Sequence, residues 1–415
     1  MTAASEYDVV IVGAGVLGVS TAFWLAEKSS LRVALLERQR PGAGSTGKSA
    51  AIVRMHYTNP ITVQLALRSR RLFADWTTAL RRSAPPAVTT PYTPCGWVFM
   101  VPPDQKGNFA RNLEMNRAQG VDVASVDHEW LQANLPGISV DGIGAAAHEP
   151  TSGYADPVAV CHELAEAADE RGVAVFEDTA ATELLVENGV VVGARAQAAA
   201  GGDSVEVRGE HTAVAAGPWS GALLQPVGVQ VPLQVMREQE LVLETDAPIP
   251  GIAVSNMCDQ IYLRPAPGGQ SAPNGRLLVG RGYPKDYQEV DPDSYDERHD
   301  AEFADDVLTR LGHRFPQLRD ARVTAGVVGL YAVTPDWHPV VGPAESVPGL
   351  WLACGGSGHA FKIGPALGEL LADCIHTGSC DWADGDAFRL SRFAAADATA
   401  SGPQPFASSY GGNRA

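Results

Sequence analysis

The sequence predicts an α/β protein: a parallel sheet flanked by helices, joined to an α+β unit built on a mostly antiparallel sheet. Three observations carry that expectation. The chain opens with a strand, a glycine-rich turn, a helix and a second strand in immediate succession. Its middle is dominated by short apolar runs of strand length, punctuated by Gly, Pro and Asn-Gly. At 415 residues, 45% of them hydrophobic, it is too long for one simple core, so two closely packed units are expected.

The opening is the most specific part. Tyr7 to Val12 is a β-branched run ending at glycine, the pattern of a buried parallel strand. Gly13-Ala-Gly15-Val16-Leu17-Gly18 follows, and Val19, Phe23 and Ala26 then mark one apolar helical face running to about Ser29. Leu31 to Glu37 is a second strand ending in an acid. Gly13 permits the tight turn, Gly15 lets backbone approach a pyrophosphate, and Gly18 lets helix pack on strand. The helix start, at Val16 and Leu17, offers unpaired N–H groups and a positive dipole end to phosphates. Glu37 is spaced to accept hydrogen bonds from an adenosine ribose. Together these parts read as a Rossmann-type dinucleotide site, with NAD and FAD both open at this point.

The rest follows in order. Residues 76–150 mix helical and strand signals around the Pro-rich Ser83 to Pro86, and Cys95 to Met100 is a strand opening the second unit. Asp156-Pro157 starts a helix through Gly172, the acid capping free N–H groups and the proline fitting the first turn. Val173 to Phe176, Thr179 to Leu185 and Val190 to Ala196 are strands, the last two joined by an Asn188-Gly189 turn. Val231 through Leu243, Gln260 to Arg264 and Arg276 to Gly280 are further strands. Pro365 to Cys374 is an amphipathic helix with proline at its first position. The Ala-, Ser-, Gly- and Pro-rich tail from about Ala395 is an extended strap or disordered.

Composition narrows the partners. The chain carries 31 Lys plus Arg against 48 Asp plus Glu, a formal charge of -17, which disfavours nucleic acid and anionic membranes. No apolar run is long enough to span a bilayer, and the N-terminal residues lack a leader pattern. Six scattered cysteines without a CxxC pair suit a reduced cytoplasmic protein. No metal site is expected.

After Glu37 comes the turn-rich Arg38 to Ser49, including Gly44, Ser45 and Lys48, then the apolar Ala50 to Val53 and Arg54. A small-residue loop here suits a cofactor longer than NAD. In residues 7–75, including Gly44, Ser45 and Ile52 to Arg54, in His211 to Ser220 with Ala216, Gly217 and Trp219, and in Gly326 to Lys362, the sequence resembles the D-amino-acid oxidase superfamily of flavoproteins. The likeness is strongest to its sarcosine oxidase and dimethylglycine dehydrogenase branch. Cys354-Gly-Gly356-Ser-Gly358-His359-Ala-Phe-Lys362 is its most specific stretch.

That resemblance implies FAD, with cofactor contacts at Gly13, Gly15, Val16, Leu17, Gly18, Glu37, Arg38, Gly44, Ser45, Lys48, Ser49, Ala181, Ala216, Gly217, Trp219, Gly356, Gly358, His359 and Lys362. Ala181 would meet adenine. It implies an FAD-binding unit from 1–86, 151–228 and 323–394, a substrate unit from 87–150 and 229–322, and a tail from 395–415. It also implies oxidation of the C–N bond of a small amino acid or N-methyl amino acid by hydride transfer. The substrate carboxylate would be clamped by Arg54 and Lys362, a planar fork and a point charge. Tyr262 and Tyr331 match positions where the family places phenols near substrate. His359 lies in the flavin-lining run, and His56, two residues past Arg54, would share its face in a strand.

Departures matter as well. Relatives that link flavin covalently do so through a cysteine where this sequence has Gly329, or a histidine near Lys48, so non-covalent FAD is expected. The lysine that speeds reaction with oxygen in some oxidases is matched by Leu278, leaving O2 or another acceptor open. Two alternatives stand beside the amine reading: a 2-hydroxy-acid dehydrogenase with His359 or His56 as base, and a non-catalytic flavoprotein acting as an assembly partner.

Overall fold

The computed structural model describes residues 5–80, 91–198, 201, 203–266, 275–283 and 285–394. The proline pair near 86, most of the insert at 265–275 and the tail from 395 lie outside those residues.

The opening folds as its pattern requires. Strand Ser5–Val12 leads through the glycine turn into helix Val16–Lys28 and back along strand Val33–Leu36. These strands centre an eight-stranded sheet, where Ser5–Val12 pairs in parallel with Val33–Leu36 and with Val205–Val214. Ala174–Phe176 extends the parallel run on one side and Leu350–Cys354 joins Val205–Val214. Both faces are covered, so Val9 to Val12 and Val33–Leu36 are apolar and buried throughout. Thr179–Glu187 and Val190–Ala198 form an antiparallel hairpin, with Asn188 and Gly189 both at positive φ in the turn.

A second, nine-stranded sheet roofs this unit. Its order runs from Gln234–Thr245 through Gly275–Arg281, Ile261–Pro265, Ala253–Asn256, Trp97–Val101 and Ala145–Glu149 to Ala124–Val126, with Gln288–Glu289 and Arg322–Val333 also on Gln234–Thr245. All pairs are antiparallel except Ala253–Asn256 with Trp97–Val101. Strand alternation divides its side chains. Leu241, Leu263 and Val279 pack outward with Val307 and Leu311 of helix Ala301–Arg314. Trp97, Phe99, Tyr262 and Glu240 lie on the inward face. The segment from 323, expected with the FAD unit, instead pairs along Gln234–Thr245 as far as Val333, so the roof claims it.

Helix Ala360–Thr377 packs on Val16–Lys28, and Pro365 lies inside it rather than at its first position. The helix begins earlier because Gly356 to His359 already complete the turn that precedes it. Proline there has no N–H to give; the Ala366 N–H next to it turns to the Ser69 hydroxyl at 3.1 Å, while the Pro365 carbonyl accepts from Trp24.

Candidate active site

Between the parallel sheet and the roof runs a cleft of 360 Å³. At one end lie Glu37, Arg38 and Ala181, in the middle Gly13, Gly15, Ser45 and Thr46, and at the other Gly356, Gly358, Phe361 and Tyr331. Two helices, Val16–Lys28 and Ala360–Thr377, begin beside it with no side-chain cap, so their positive ends are directed to a ligand. Gly13 has φ 101°, and a β-carbon there would stand 2.6 Å from the Ala215 carbonyl oxygen. Only glycine turns the chain at that point.

Glu37 is held from behind. One oxygen accepts from the Ala14 N–H at 2.8 Å and the other from the Gln39 N–H at 2.9 Å, which fixes the carboxylate at the rim where a ribose would lie. A continuous cleft with an acid at one end, a backbone cradle at its middle and a second helix start at its far end fits FAD along its whole length. Val16, Leu17, Gly44, Ser49, Ala216, Gly217 and Trp219 also line it.

Other expected contacts are placed differently. Gly18 packs against the Gly13 carbonyl, where any β-carbon would come within 1.8 Å of the oxygen; it shapes the turn and does not line the cleft. Lys48 points into an adjoining polar cavity of 630 Å³, where its amine bonds Tyr295 Oη and Glu297 Oε2, each at 2.8 Å. His359 is buried, with Nε2 2.6 Å from the Trp337 carbonyl and Nδ1 3.4 Å from Tyr57 Oη. Its imidazole braces the loop near Lys362 and Arg54, and burial, with the charges of those neighbours, holds its pKa well below the ordinary value.

His56 does not share the face of Arg54. The strand ends at Val53, so the two-residue alternation that would align His56 with Arg54 fails. The ring sits among Trp97, Phe99 and Phe109. Burial, then the Arg54 charge, pushes its pKa down to about 3.

Arg54 and Lys362 do come together. The Arg54 guanidinium lies 4.7 Å from the Tyr57 ring centre and 5.4 Å from that of Trp97, and donates to the His56 carbonyl. Lys362 is 9% exposed, and among the described residues its amine has no hydrogen-bond or ion-pair partner. Burial first, and then the Arg54 charge, lowers its pKa well below that of a free lysine. Two neighbouring cations with no paired carboxylate form a site that an anion would relieve.

The roof above contributes Tyr262 and Tyr331. Tyr262 Oη donates to Glu240 Oε1 at 2.7 Å and interacts with the Tyr331 phenol; Tyr331 itself lines the cleft. Glu240, Glu149 and Tyr57 were not legible as site residues, because each sits alone in an ordinary strand or loop pattern. Glu149 Oε2 accepts from the Met55 N–H and the Ser152 hydroxyl, setting the segment that carries Arg54. The only local signal for Glu240 was an acid at an inward position of a buried strand. Among the described residues no His, Cys, Asp and Glu cluster could hold a metal, and no helix is long and apolar enough to cross a membrane.

Comparison with known proteins agrees with the cleft. FAD-dependent oxidoreductase domain-containing protein 1 of Bos taurus is 27% identical, over 93% of this chain and 84% of its own. The mitochondrial sarcosine dehydrogenase of Mus musculus is 27% identical over 89% of this chain, which spans 40% of that longer protein. The crystal structure of L-proline dehydrogenase from P. horikoshii superposes with a TM-score of 0.81 at 24% identity, covering 94% of this chain and 99% of the other; it shares the fold. The model of the DAO family matches residues 8–374, and the chain therefore belongs to that family of FAD-dependent oxidoreductases.

Proposed function

We propose that this enzyme oxidises the C–N bond of a small amino acid or N-methyl amino acid to an imine, which water then hydrolyses. One observation carries the reading: Arg54 and Lys362 meet in a buried site, and among the described residues neither makes an ion pair with an acid, the nearby Glu149 being turned to the Met55 N–H and the Ser152 hydroxyl. A substrate carboxylate supplies that acid, and its attachment fixes the α-carbon relative to the cleft. FAD, when bound, supplies the acceptor for the hydride. The chain's own residues bind the carboxylate, exclude water with Trp97, Phe99 and Tyr331, and present phenols to the amine. The 27% identity to a sarcosine dehydrogenase supports an amine substrate.

The hydroxy-acid alternative needs a base for the hydroxyl proton. Both imidazoles it would use are depressed in basicity by burial and by the charges of the clamp beside them. An assembly role gives no return on a buried, unpaired lysine, which costs stability. For the acceptor, Leu278 takes the roof position beside Arg264 and brings no charge, which favours an acceptor other than oxygen. We assign FAD as non-covalent, and residues 151–228 with the N-terminal segment as its main holder.

The test is anaerobic mixing of the purified yellow protein with amino acids, N-methyl amino acids and 2-hydroxy acids, following flavin absorbance. Bleaching by an amine, lost in Arg54→Ala, supports the reading. Bleaching by hydroxy acids alone overturns it. Admitting air then separates oxidase from dehydrogenase.

A further inference from the structure

Gln234–Thr245, Gly275–Arg281 and Ile261–Pro265 are consecutive strands of the roof, and their register sets Glu240, Gly280 and Tyr262 side by side. The middle position carries no side chain. A β-carbon on Gly280 would come within 2.3 Å of Tyr262 Cζ and Oη, so the phenol lies across Gly280 to reach Glu240 two strands away. Glu240 Oε1 accepts from Tyr262 Oη at 2.7 Å and from the Ala50 N–H at 3.1 Å. The same carboxylate thus ties the roof to the loop that leads into Arg54. Ala51, the next residue, sits at φ 50°, a strained value for a residue with a β-carbon, so this loop is held by its contacts. Glu240 is 5% exposed, and its Oε2 has no partner among the described residues.

The reaction proposed above needs a neutral amine, because the nitrogen lone pair must drive hydride departure. Amino acids carry an ammonium at neutral pH. The carboxylate clamp consists of cations and repels that charge, so the proton needs a route to an acceptor. We propose that Glu240 is a positioning residue that orients the Tyr262 hydroxyl toward itself and receives, through that hydroxyl, the proton lost by the substrate ammonium. The proposal rests on the amine reading.

The step balances. With Glu240 ionised, Tyr262 donates its hydrogen to Oε1 and, beside its contact with Tyr331, keeps an oxygen lone pair to accept an ammonium N–H. The N–H bond breaks as a new O–H forms on Tyr262, while the original Tyr262 O–H breaks and its proton joins Glu240. The products are a neutral amine, an intact phenol and a carboxylic acid. No electrons are exchanged.

The environment of Glu240 suits a proton acceptor. Facing it are Tyr262 and Arg264 from one strand, Glu238 from its own, and the Ala50 peptide from the cofactor loop. Lys285 bonds Glu238, and Tyr331 feels the charge of both acids and hydrogen-bonds Tyr262. Burial, the largest effect, pushes the Glu240 carboxyl up to about 7, against the opposing hydrogen bond from Tyr262 and the charge of Arg264. A carboxyl poised near neutrality both accepts and returns a proton.

The experiment measures the rate of anaerobic flavin reduction against pH in the holoenzyme, with the amine that bleaches the wild type best. Wild type is expected to level off near neutrality. Glu240→Gln continues to rise about tenfold per pH unit toward the pKa of the free amine, and falls about a hundredfold short of wild type at pH 7. Tyr262→Phe behaves like Glu240→Gln, and Glu240→Asp recovers part of the plateau. Infrared difference spectra of the holoenzyme supply a second readout: a protonated carboxyl band that titrates near neutrality in wild type and is missing in Glu240→Gln. Matching FAD content and visible spectra show that the variants fold. Superimposable profiles for wild type and Glu240→Gln overturn the relay while leaving amine oxidation standing. A profile altered only in Lys362→Met assigns the proton to Lys362 and also overturns it. If no amine bleaches wild type, the relay falls with the reading beneath it.

Discussion

Gly329 and Lys48 stand against each other at the rim of the cleft: a β-carbon on Gly329 would come 2.9 Å from Lys48 Cβ. The family resemblance places covalent flavin links at these two positions, and the structure shows them to be one place reached from opposite sides. Here one carries no side chain, and the other's amine is engaged by Tyr295 and Glu297. Neither offers a nucleophile. Acid precipitation is therefore expected to leave all the FAD in the supernatant, and yellow colour retained in the washed pellet would contradict this. Gly329→Cys, crowded by Lys48, is expected to cost roughly 1–3 kcal/mol through overpacking, read as a lowered unfolding midpoint.

Lys362 is predicted to trade stability for binding. Its depressed pKa means that the folded state holds this proton less tightly than the unfolded chain does. The penalty is full below the depressed value and fades as pH rises toward the unfolded lysine range. Lys362→Met removes it, so the apoprotein variant should melt higher than wild type at pH 6, with the gain shrinking by pH 10. The same variant should bind substrate carboxylate at least about a hundredfold more weakly, the loss expected for a charged contact in a dry site. A lower midpoint at pH 6 together with unchanged substrate affinity would refute the clamp.

His56 gives an acid-stability prediction of the opposite kind. Its folded pKa is about 3, below the unfolded value, so its contribution is complete above about pH 6.5 and is lost as pH falls toward 3. At pH 5 the loss is about 2 kcal/mol by the usual 1.36 kcal/mol per unit. His56→Phe, placing another ring among Trp97, Phe99 and Phe109, should reduce the acid sensitivity of the melting midpoint. Flavin reduction should stay within about tenfold of wild type, since the ring does no proton transfer and the His56 carbonyl that holds Arg54 remains. A collapse of reduction with normal FAD content would return His56 to the chemistry.

What could be read from sequence follows the range of the forces involved. The Gly13 to Gly18 turn, its flanking strands and Glu37 are local: each residue's job is set by neighbours a few positions away, so the pattern appeared in order. Asp156 with Pro157 was legible for the same reason, and the structure shows Asp156 accepting from the Val158 and Ala159 N–H groups at 3.0 Å. His56 was misplaced because side-chain direction depends on where a strand stops, and the direction of the His359 ring depends on the Trp337 carbonyl that lies opposite it. The start of Ala360–Thr377 was missed by five residues since the glycine loop, and not the proline, sets it. Glu240 was invisible because its meaning comes from Tyr262 across two strands, and Gly280 between them looks like any other strand glycine. Register is the one fact a lone sequence least discloses.

Glu240 carries the last prediction, on stability in place of rate. Its folded pKa is raised from 4.5 to about 7 by burial. The folded state therefore binds this proton more tightly, and the associated stability is present below the unfolded value and lost as pH climbs through about 7. Above that point the ionised, incompletely bonded carboxylate costs the fold up to about 3 kcal/mol. Gln at this position keeps an acceptor for Tyr262 and the Ala50 N–H and carries no charge, so Glu240→Gln apoprotein should melt above wild type at pH 8. Below pH 4.5 the two should converge, because the acid is then neutral in both states. A variant that is less stable than wild type by the same amount at both pH values would mean that Glu240 is fully paired as a carboxylate, and that its proton is not available to any substrate.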